Sequence, residues 1–297
     1  MYETAIKAPL AEIIHERYYR LHSLLVVEKQ MVEQVRTWHY GLIARWWAEF
    51  LADDHEQDVE YFRRAIERHG EPVLDAGCGT GRLLLPLQRA ALDVDGSDAS
   101  QDMLDWCQKQ AVAEDLSFNL YHQAMHQLDI PRRYRTIIVC GAFGLGAGRS
   151  EDLEGLRRIH HHLEPGGALV MDHYLPSKDG LSSWTAWVKE PELPRQWSNR
   201  GDRRRNNNGV EMELRVRQLA FNPLEQTTTL EMKAIEYDGD AEVAVETNQI
   251  DINLYFKNEI ELMLTTAGFQ DITVTSFPHD EPPQPWQDGR LVFHAIA

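Results

Sequence analysis

No stretch of this chain approaches the ~18 consecutive apolar residues that a membrane-spanning helix requires. Its N-terminus, with Glu3 and Lys7 among mixed residues, also lacks a signal-peptide pattern. Cysteine is scarce: Cys78, Cys107 and Cys140 are scattered, odd in number and without metal-ligand spacing. That excludes a disulfide framework, and the three read as reduced thiols of a cytosolic protein. Positive charge is short as well, with 30 Lys and Arg against 47 Asp and Glu and a net charge of −17. Such a field repels nucleic acid and anionic membranes, so neither is expected as a partner. The one basic cluster holds four arginines within Arg200–Arg205, beside Asn206-Asn207-Asn208-Gly209, and reads as a solvated loop. His160-His161-His162 falls late in a helix pattern, where it suits the dipole. Its side chains diverge, so no metal site is expected.

What the chain does have is a hydrophobic fraction of 43%, ample for a buried core in 297 residues. Apolar positions at helical spacing from Leu10 to Val35 predict one or two helices, followed by an aromatic segment at Trp38-His39-Tyr40, Trp46-Trp47 and Phe50. Phe62, Ala65 and Ile66 predict a further helix, ended by Gly70. From residue 72 the pattern alternates: strands at Val73–Ala76, Leu92–Ser97, Phe118–His122, Thr136–Cys140 and Ala168–His173, with helices at Gly81–Ala90, Ser100–Ala113 and Ser150–Leu163. Pro165-Gly166-Gly167 reads as a turn. Residues 176–209 show no period; Val210, Met212, Leu214 and Val216 then alternate with charged residues. With segments 226–237 and 241–254 they predict a three-stranded antiparallel meander. A helix over Asn258–Ala267 and strands at Ile272–Phe277 and Arg290–Ala295 close the chain. The fold class expected is α/β: a doubly wound, mostly parallel, seven-stranded Rossmann-like sheet with an N-terminal helical cap and an antiparallel β insertion. The expected divisions are a cap over 1–60, a cofactor-binding core over 61–175, a substrate-covering insertion over 176–255, and the rest of the core over 256–297.

The most informative residues are Val73-Leu74-Asp75-Ala76-Gly77-Cys78-Gly79-Thr80-Gly81-Arg82. A strand ending in an acid runs through alternate glycines into a helix start, so a ligand can approach backbone N–H groups without meeting a Cβ. The glycines fall at 77, 79 and 81, and Arg82 occupies the position of the third glycine in a dinucleotide G-x-G-x-x-G loop. No Gly-Lys-Ser/Thr follows, which excludes a P-loop. Asp75 would sit beside any bound phosphate, so the loop suits a cationic ligand better than an anionic one. One βα unit later Asp98, in Asp95-Gly96-Ser97-Asp98-Ala99-Ser100, stands where an acid can accept both hydroxyls of a ribose.

These stretches, with Met103-Leu104, Glu164-Pro165-Gly166-Gly167-Ala168 and Ala267-Gly268-Phe269, resemble the motifs of class I S-adenosylmethionine-dependent methyltransferases of the small-molecule type. The resemblance covers about residues 72–174 and 250–297. It implies S-adenosyl-L-methionine as cofactor and S-adenosyl-L-homocysteine as product. It also implies roles by position: Asp75, Ala76 and Gly77 at the methionine amino end, Gly79 at the adenosyl side, and Asp98 on the ribose. Ala99 and Met103 would lie against the adenine, and Ala124 and Met125 at its edge, with Ala124 standing where family members commonly place an acid. Cys140, Gly141 and Phe143 would flank the sulfonium, and Tyr40 resembles a tyrosine reaching the cofactor from an N-terminal helix.

Methyl transfer needs a general base only when the nucleophile arrives protonated. The candidates are His173, Tyr174 and His39, each of which reads first as a structural or rim residue. Trp46 and Trp47 read as core packing, while Trp184, Trp187 and Trp197 are divided evenly between lining a substrate pocket and packing the insertion. The expected activity is methyl transfer to an oxygen or nitrogen of a small molecule, by in-line displacement. The alternative is a non-catalytic protein of the same fold that binds the cofactor or its product; a nicotinamide oxidoreductase is disfavoured by the glycine spacing and Asp75. The long N-terminal helical stretch leaves room for a homodimer.

Overall fold

The computed structural model describes residues 37, 39–50, 55–176, 190–206, 208–284 and 287–297. The helices expected before residue 37, and Trp38, Trp184 and Trp187, lie outside the described residues. The described helices are α1 (Gly41–Phe50), α2 (Glu56–His69), α3 (Leu84–Arg89), α4 (Gln101–Ala113), α5 (Arg149–His162) and α6 (Lys257–Ala267). The strands are β1 (Val73–Ala76), β2 (Val94–Asp98), β3 (Leu120–His122), β4 (Tyr134–Val139), β5 (Leu163–Tyr174), β6 (Asp202–Arg205), β7 (Glu211–Asn222), β8 (Thr227–Asp238), β9 (Ala241–Asn253), β10 (Gln270–Ser276) and β11 (Arg290–Ile296).

Seven strands form one sheet in the order β10-β11-β5-β4-β1-β2-β3. β1, β2, β3, β4 and β5 pair in parallel, and β11 runs antiparallel to both of its neighbours. Helices cover both faces, so the central strands bury both sides and need uninterrupted apolar runs. Leu74, Ile137, Leu169 and Phe293 pack with Leu156, Ile159 and Ile260 on one face. Val73, Ile138, Val170 and Val292 pack with Phe62, Ile66, Leu84 and Leu104 on the other. The strand directions put the ends of β1, β2, β4 and β5 on one edge, with the glycine loop at its centre.

Two sequence expectations are corrected in detail. Pro165-Gly166-Gly167 does not precede β5 but lies within it. Leu163 pairs with Tyr134 and Ala168 with Thr136, so the Pro-Gly-Gly stretch bulges out between them, with Gly166 at φ +72°. The meander has four strands rather than three, because the arginine cluster forms β6 on β7. Charge pairing across the ladder explains this: Arg203 and Arg205 reach Glu211, and Arg204 stacks over Trp46 and donates to the Phe50 carbonyl at 2.7 Å.

That second sheet, β6-β7-β8-β9, packs one face on α1. Ile43 and Trp46 lie among Met212, Leu214, Leu230, Met232, Ala234 and Ile250, so Trp46 is a core residue, as expected. Trp197 sits on the charged side of the sheet, with Arg217 and Lys233 4.5 and 4.7 Å from its ring, and so packs the insertion. The end of β9 meets the loop that follows β4. Leu145 pairs with Ile252, the Gly146 N–H donates to Asp251 O at 2.8 Å, and the Asn253 N–H to Gly144 O at 2.9 Å.

Candidate active site

The glycine loop is folded by its own backbone bonds. The Gly77 and Cys78 N–H groups donate to Ser97 O, at 2.7 and 3.0 Å, which ties the loop to the end of β2. Gly77, Gly79 and Gly81 all adopt positive φ, where a Cβ is strained. A Cβ on Gly77 would lie 2.5 Å from the Ala142 methyl, and one on Gly79 would lie 3.1 Å from Met103 Cε. The loop therefore leaves backbone, not side chain, on its open side.

Two acids stand at this loop. Asp75 is buried at 2% exposure, and burial pushes its carboxyl up to about 7. Arg82 and the Leu84 N–H oppose that shift, while Asp98 adds to it. Asp98 ends β2 and accepts the Gly79 N–H on Oδ2 at 2.9 Å and the Ser100 N–H on Oδ1 at 2.8 Å. Burial raises its carboxyl too, against those bonds. A buried Asp75 and a half-buried Asp98 beside the glycine backbone fit a ligand that is cationic at one end and offers hydroxyls at the other.

The other sequence-predicted residues gather here. Ala76 is buried beneath the loop, and the Ala99 carbonyl accepts from His122 Nε2 at 3.0 Å. Ala124 leads a short turn over Met125–Gln127, and Met125 Cε lies 3.4 Å from the place of a Gly77 Cβ. Gly141, just beyond β4, has φ +66° and nothing within 4 Å of a would-be Cβ. Tyr40 lies near Asp98 and Asp102: burial raises its phenol, and Asp102 and Asp98 raise it further. It starts α1, which is docked on the N-terminus of α4 by the Ser100 hydroxyl donating to His39 O and by the Gly41 N–H donating to Asp102 at 2.7 Å.

The base candidates are placed differently. His39 is bonded to Thr37 Oγ1 through Nδ1 at 3.0 Å, lies edge-on to Trp47, and is held neutral by burial, its imidazole lowered to about 4. His173 is buried beside Phe143 and Tyr255; its Nε2 donates to Tyr255 O at 3.1 Å, and burial lowers its pKa. Tyr174 is 53% exposed at the rim, over the Arg290 guanidinium.

Sequence reasoning missed a buried ionic group under this edge. Arg82 donates to Asp58 at 2.6 Å and to Cys140 Sγ at 2.9 Å, which turns it below the loop. Arg290 pairs with Asp58 at 2.5 Å and with Asp172 at 2.7 Å. An acid inside the apolar run Leu169-Val170-Met171-Asp172 was the available signal. Its partners lie too far along the chain for any motif to join them. No group of His, Cys, Asp and Glu suited to a metal ion occurs among the described residues.

Known proteins resemble this chain in one domain and in the fold. Residues 73–167 match the family model described as a methyltransferase domain. A protein of Geobacillus sp. (strain WCH70), named provisionally as a methyltransferase, is 26% identical over 134 residues, 43% of this chain and 54% of that protein. Cypemycin N-terminal methyltransferase of Streptomyces sp. is 32% identical over 104 residues, 35% of this chain and 42% of that enzyme. The chain thus spans about half the length of the curated relatives it matches. The crystal structure of an S-adenosylmethionine-dependent methyltransferase from Clostridium acetobutylicum ATCC 824 superposes with TM-score 0.66 at 16% identity, over 85% of this chain and 96% of that one. At that identity the likeness concerns the fold. Residues 73–167 match that methyltransferase-domain model, and the chain shares the Rossmann-like α/β fold of the Clostridium structure.

Proposed function

We propose that this chain is a cytosolic enzyme that methylates an oxygen or nitrogen of a small molecule, with S-adenosyl-L-methionine as donor and S-adenosyl-L-homocysteine as product. The observation that carries this reading is Asp75: a buried carboxyl at the mouth of a glycine loop gains from a cation and would repel a phosphate. The loop fits the donor because Gly77, Gly79 and Gly141 leave no Cβ in the cradle, while Asp75 offers charge and Asp98 lone pairs. When bound, S-adenosylmethionine supplies an electrophilic methyl group that an acceptor lone pair takes in line, the C–S electron pair staying on sulfur.

In this reading Asp75 and the Gly77 backbone hold the methionine end and Asp98 the ribose hydroxyls. Ala99, Met103, Ala124 and Met125 border the adenine, and Tyr40 covers the site. Cys140, Gly141 and Phe143 border the reacting centre. Holding donor and acceptor in line while excluding water supplies about 7–11 kcal/mol of the barrier in favourable cases. The three free cysteines are all buried, which fits a reducing compartment.

A second reading, a non-catalytic protein that binds S-adenosylmethionine or S-adenosylhomocysteine, has one observation in its favour. His39 and His173 each have a ring nitrogen engaged with a neighbour and a depressed pKa. Calorimetry with the methyl donor, its demethylated product and NAD separates the cofactor classes. A panel of small amines and alcohols, with S-adenosylhomocysteine release as readout, then separates enzyme from binder. Failure of the chain to bind either sulfur compound would sink both readings.

A further inference from the structure

We infer that Asp172, clamped by Arg290, is a positioning residue that sets the loop following β4, residues 140–146, against the glycine loop. This rests on the methyltransferase reading of the site. Three observations converge on it. First, Gly141 turns through φ +66° with nothing within 4 Å of a would-be Cβ, so side-chain packing does not hold that corner. Its N–H instead donates to Asp172 Oδ1 at 2.6 Å. Second, Asp172 is itself fixed: it is 1% exposed, and Oδ2 accepts from Arg290 Nε at 2.8 Å and Nη2 at 2.7 Å. The Arg290 guanidinium lies 3.7 Å from the centroid of the Phe277 ring. Third, the same arginine pairs with Asp58, which pairs with Arg82 at the end of the glycine loop. Two carboxylates and two guanidiniums thus balance in charge around the Cys140 thiol.

The loop so fixed has its other end pinned by β9, through Gly144 O and the Gly146 N–H. Between the two pins, the Ala142 methyl occupies the space that a Cβ on Gly77 would need. A loop that relaxed at Gly141 would therefore shift directly against the cofactor-facing backbone. Removing the Asp172 carboxylate strands the Gly141 N–H and leaves Arg290 with one anionic partner fewer, while the hydrophobic core stays intact.

The test compares wild type with Asp172→Ala, Asp172→Asn and Arg290→Lys. Arg89→Ala serves as control, because the Arg89–Glu114 pair lies on the surface between α3 and α4. Hydrogen exchange of segment 140–146 is measured without ligand, and the Kd for S-adenosylhomocysteine by calorimetry. Expected is at least tenfold faster exchange in 140–146 and at least tenfold weaker binding for Asp172→Ala, with smaller losses for Asp172→Asn, which keeps an acceptor for the Gly141 N–H. Arg290→Lys falls with the Asp172 variants, and Arg89→Ala matches wild type. Folded variants whose exchange and Kd stay within twofold of wild type would overturn the inference, as would an equal loss in Arg89→Ala. Should Asp172→Ala not fold, the other two variants decide the matter. Wild type that bound no sulfur ligand would remove the functional reading instead, and the exchange data would still decide whether Asp172 sets the loop.

Discussion

Asp98 Oδ2 accepts the Gly79 backbone N–H at 2.9 Å, so the acid that ends β2 closes the glycine loop that follows β1. Its other oxygen takes the Ser100 N–H at the start of α4. Beyond these N–H bonds the carboxylate keeps acceptor capacity for a ligand hydroxyl. One side chain thus organises the loop and, in the proposed function, reads the ribose.

Replacing that carboxylate is expected to weaken cofactor binding more than folding. Asp98→Ala strands two backbone N–H groups and removes the hydroxyl acceptor, for a loss of about 1.5–3 kcal/mol or roughly 10–100-fold in Kd. Gly79→Val, which adds a branched Cβ at φ +55°, abolishes measurable binding. Calorimetry checks both; folded variants of unchanged affinity would remove these residues from the site.

Asp75 gives a pH dependence. Its folded carboxyl titrates at about 7, above its ordinary value, so the ligand-free chain loses stability as pH rises from about 4 through 7, where the buried group must ionise. A bound cation favours the ionised form. Affinity for S-adenosylmethionine is therefore expected to rise from pH 6 to pH 8, with proton release detectable as buffer-dependent calorimetric heat. Asp75→Asn should raise the ligand-free thermal midpoint at pH 8 and abolish binding. A flat affinity profile across that range would contradict the role.

The junction between the sheets carries its own signature. Asp152 accepts from Tyr255 Oη and from Asn253 Nδ2, each at 2.7 Å, and burial nonetheless raises its carboxyl to about 6. Tyr255→Phe deletes one of those donors at a cost of about 1–3 kcal/mol where the carboxyl is ionised. The loss should be larger at pH 8 than at pH 5, where Asp152 is protonated. Denaturant unfolding at the two values measures it; equal losses would mean that the hydroxyl does not serve the carboxylate.

Trp46 tests how α1 holds the second sheet. It is 3% exposed among Met212, Leu230 and Ile250, with the Arg204 guanidinium 5.4 Å from the ring centroid. Trp46→Ala should cost about 3–5 kcal/mol and speed hydrogen exchange in β7 and β8 ahead of β1 and β4. Uniform acceleration across both sheets would show that the two unfold as one unit.

The seven-stranded sheet was legible because its signals are local. Val73-Leu74 and Ile137-Ile138-Val139 are the apolar centres of β1 and β4, and the glycine spacing and Ser100 cap mark where strand gives way to helix. The Asp98–Gly79 contact was approachable for the same reason, since one βα unit separates the two. β6 was not legible: Asp202–Arg205 carries no apolar alternation, and only Glu211 across the ladder and Trp46 behind it make a strand of it. The bulge in β5 was likewise hidden, because pairing to Tyr134 on its far side appears only once β4 is beside it.

The sequence by itself determined the strand–loop–helix units and the glycine loop with its two acids, since chain connectivity holds those residues within one βα unit of one another. Tertiary structure alone decided that Asp58, Arg82, Asp172 and Arg290 form one buried group and that His173 is bonded to the Tyr255 carbonyl. It also decided that the loop after β4 joins the edge of β9. Those contacts join segments up to 232 positions apart (58 to 290), and a charge buried away from water must find a partner wherever the fold brings one.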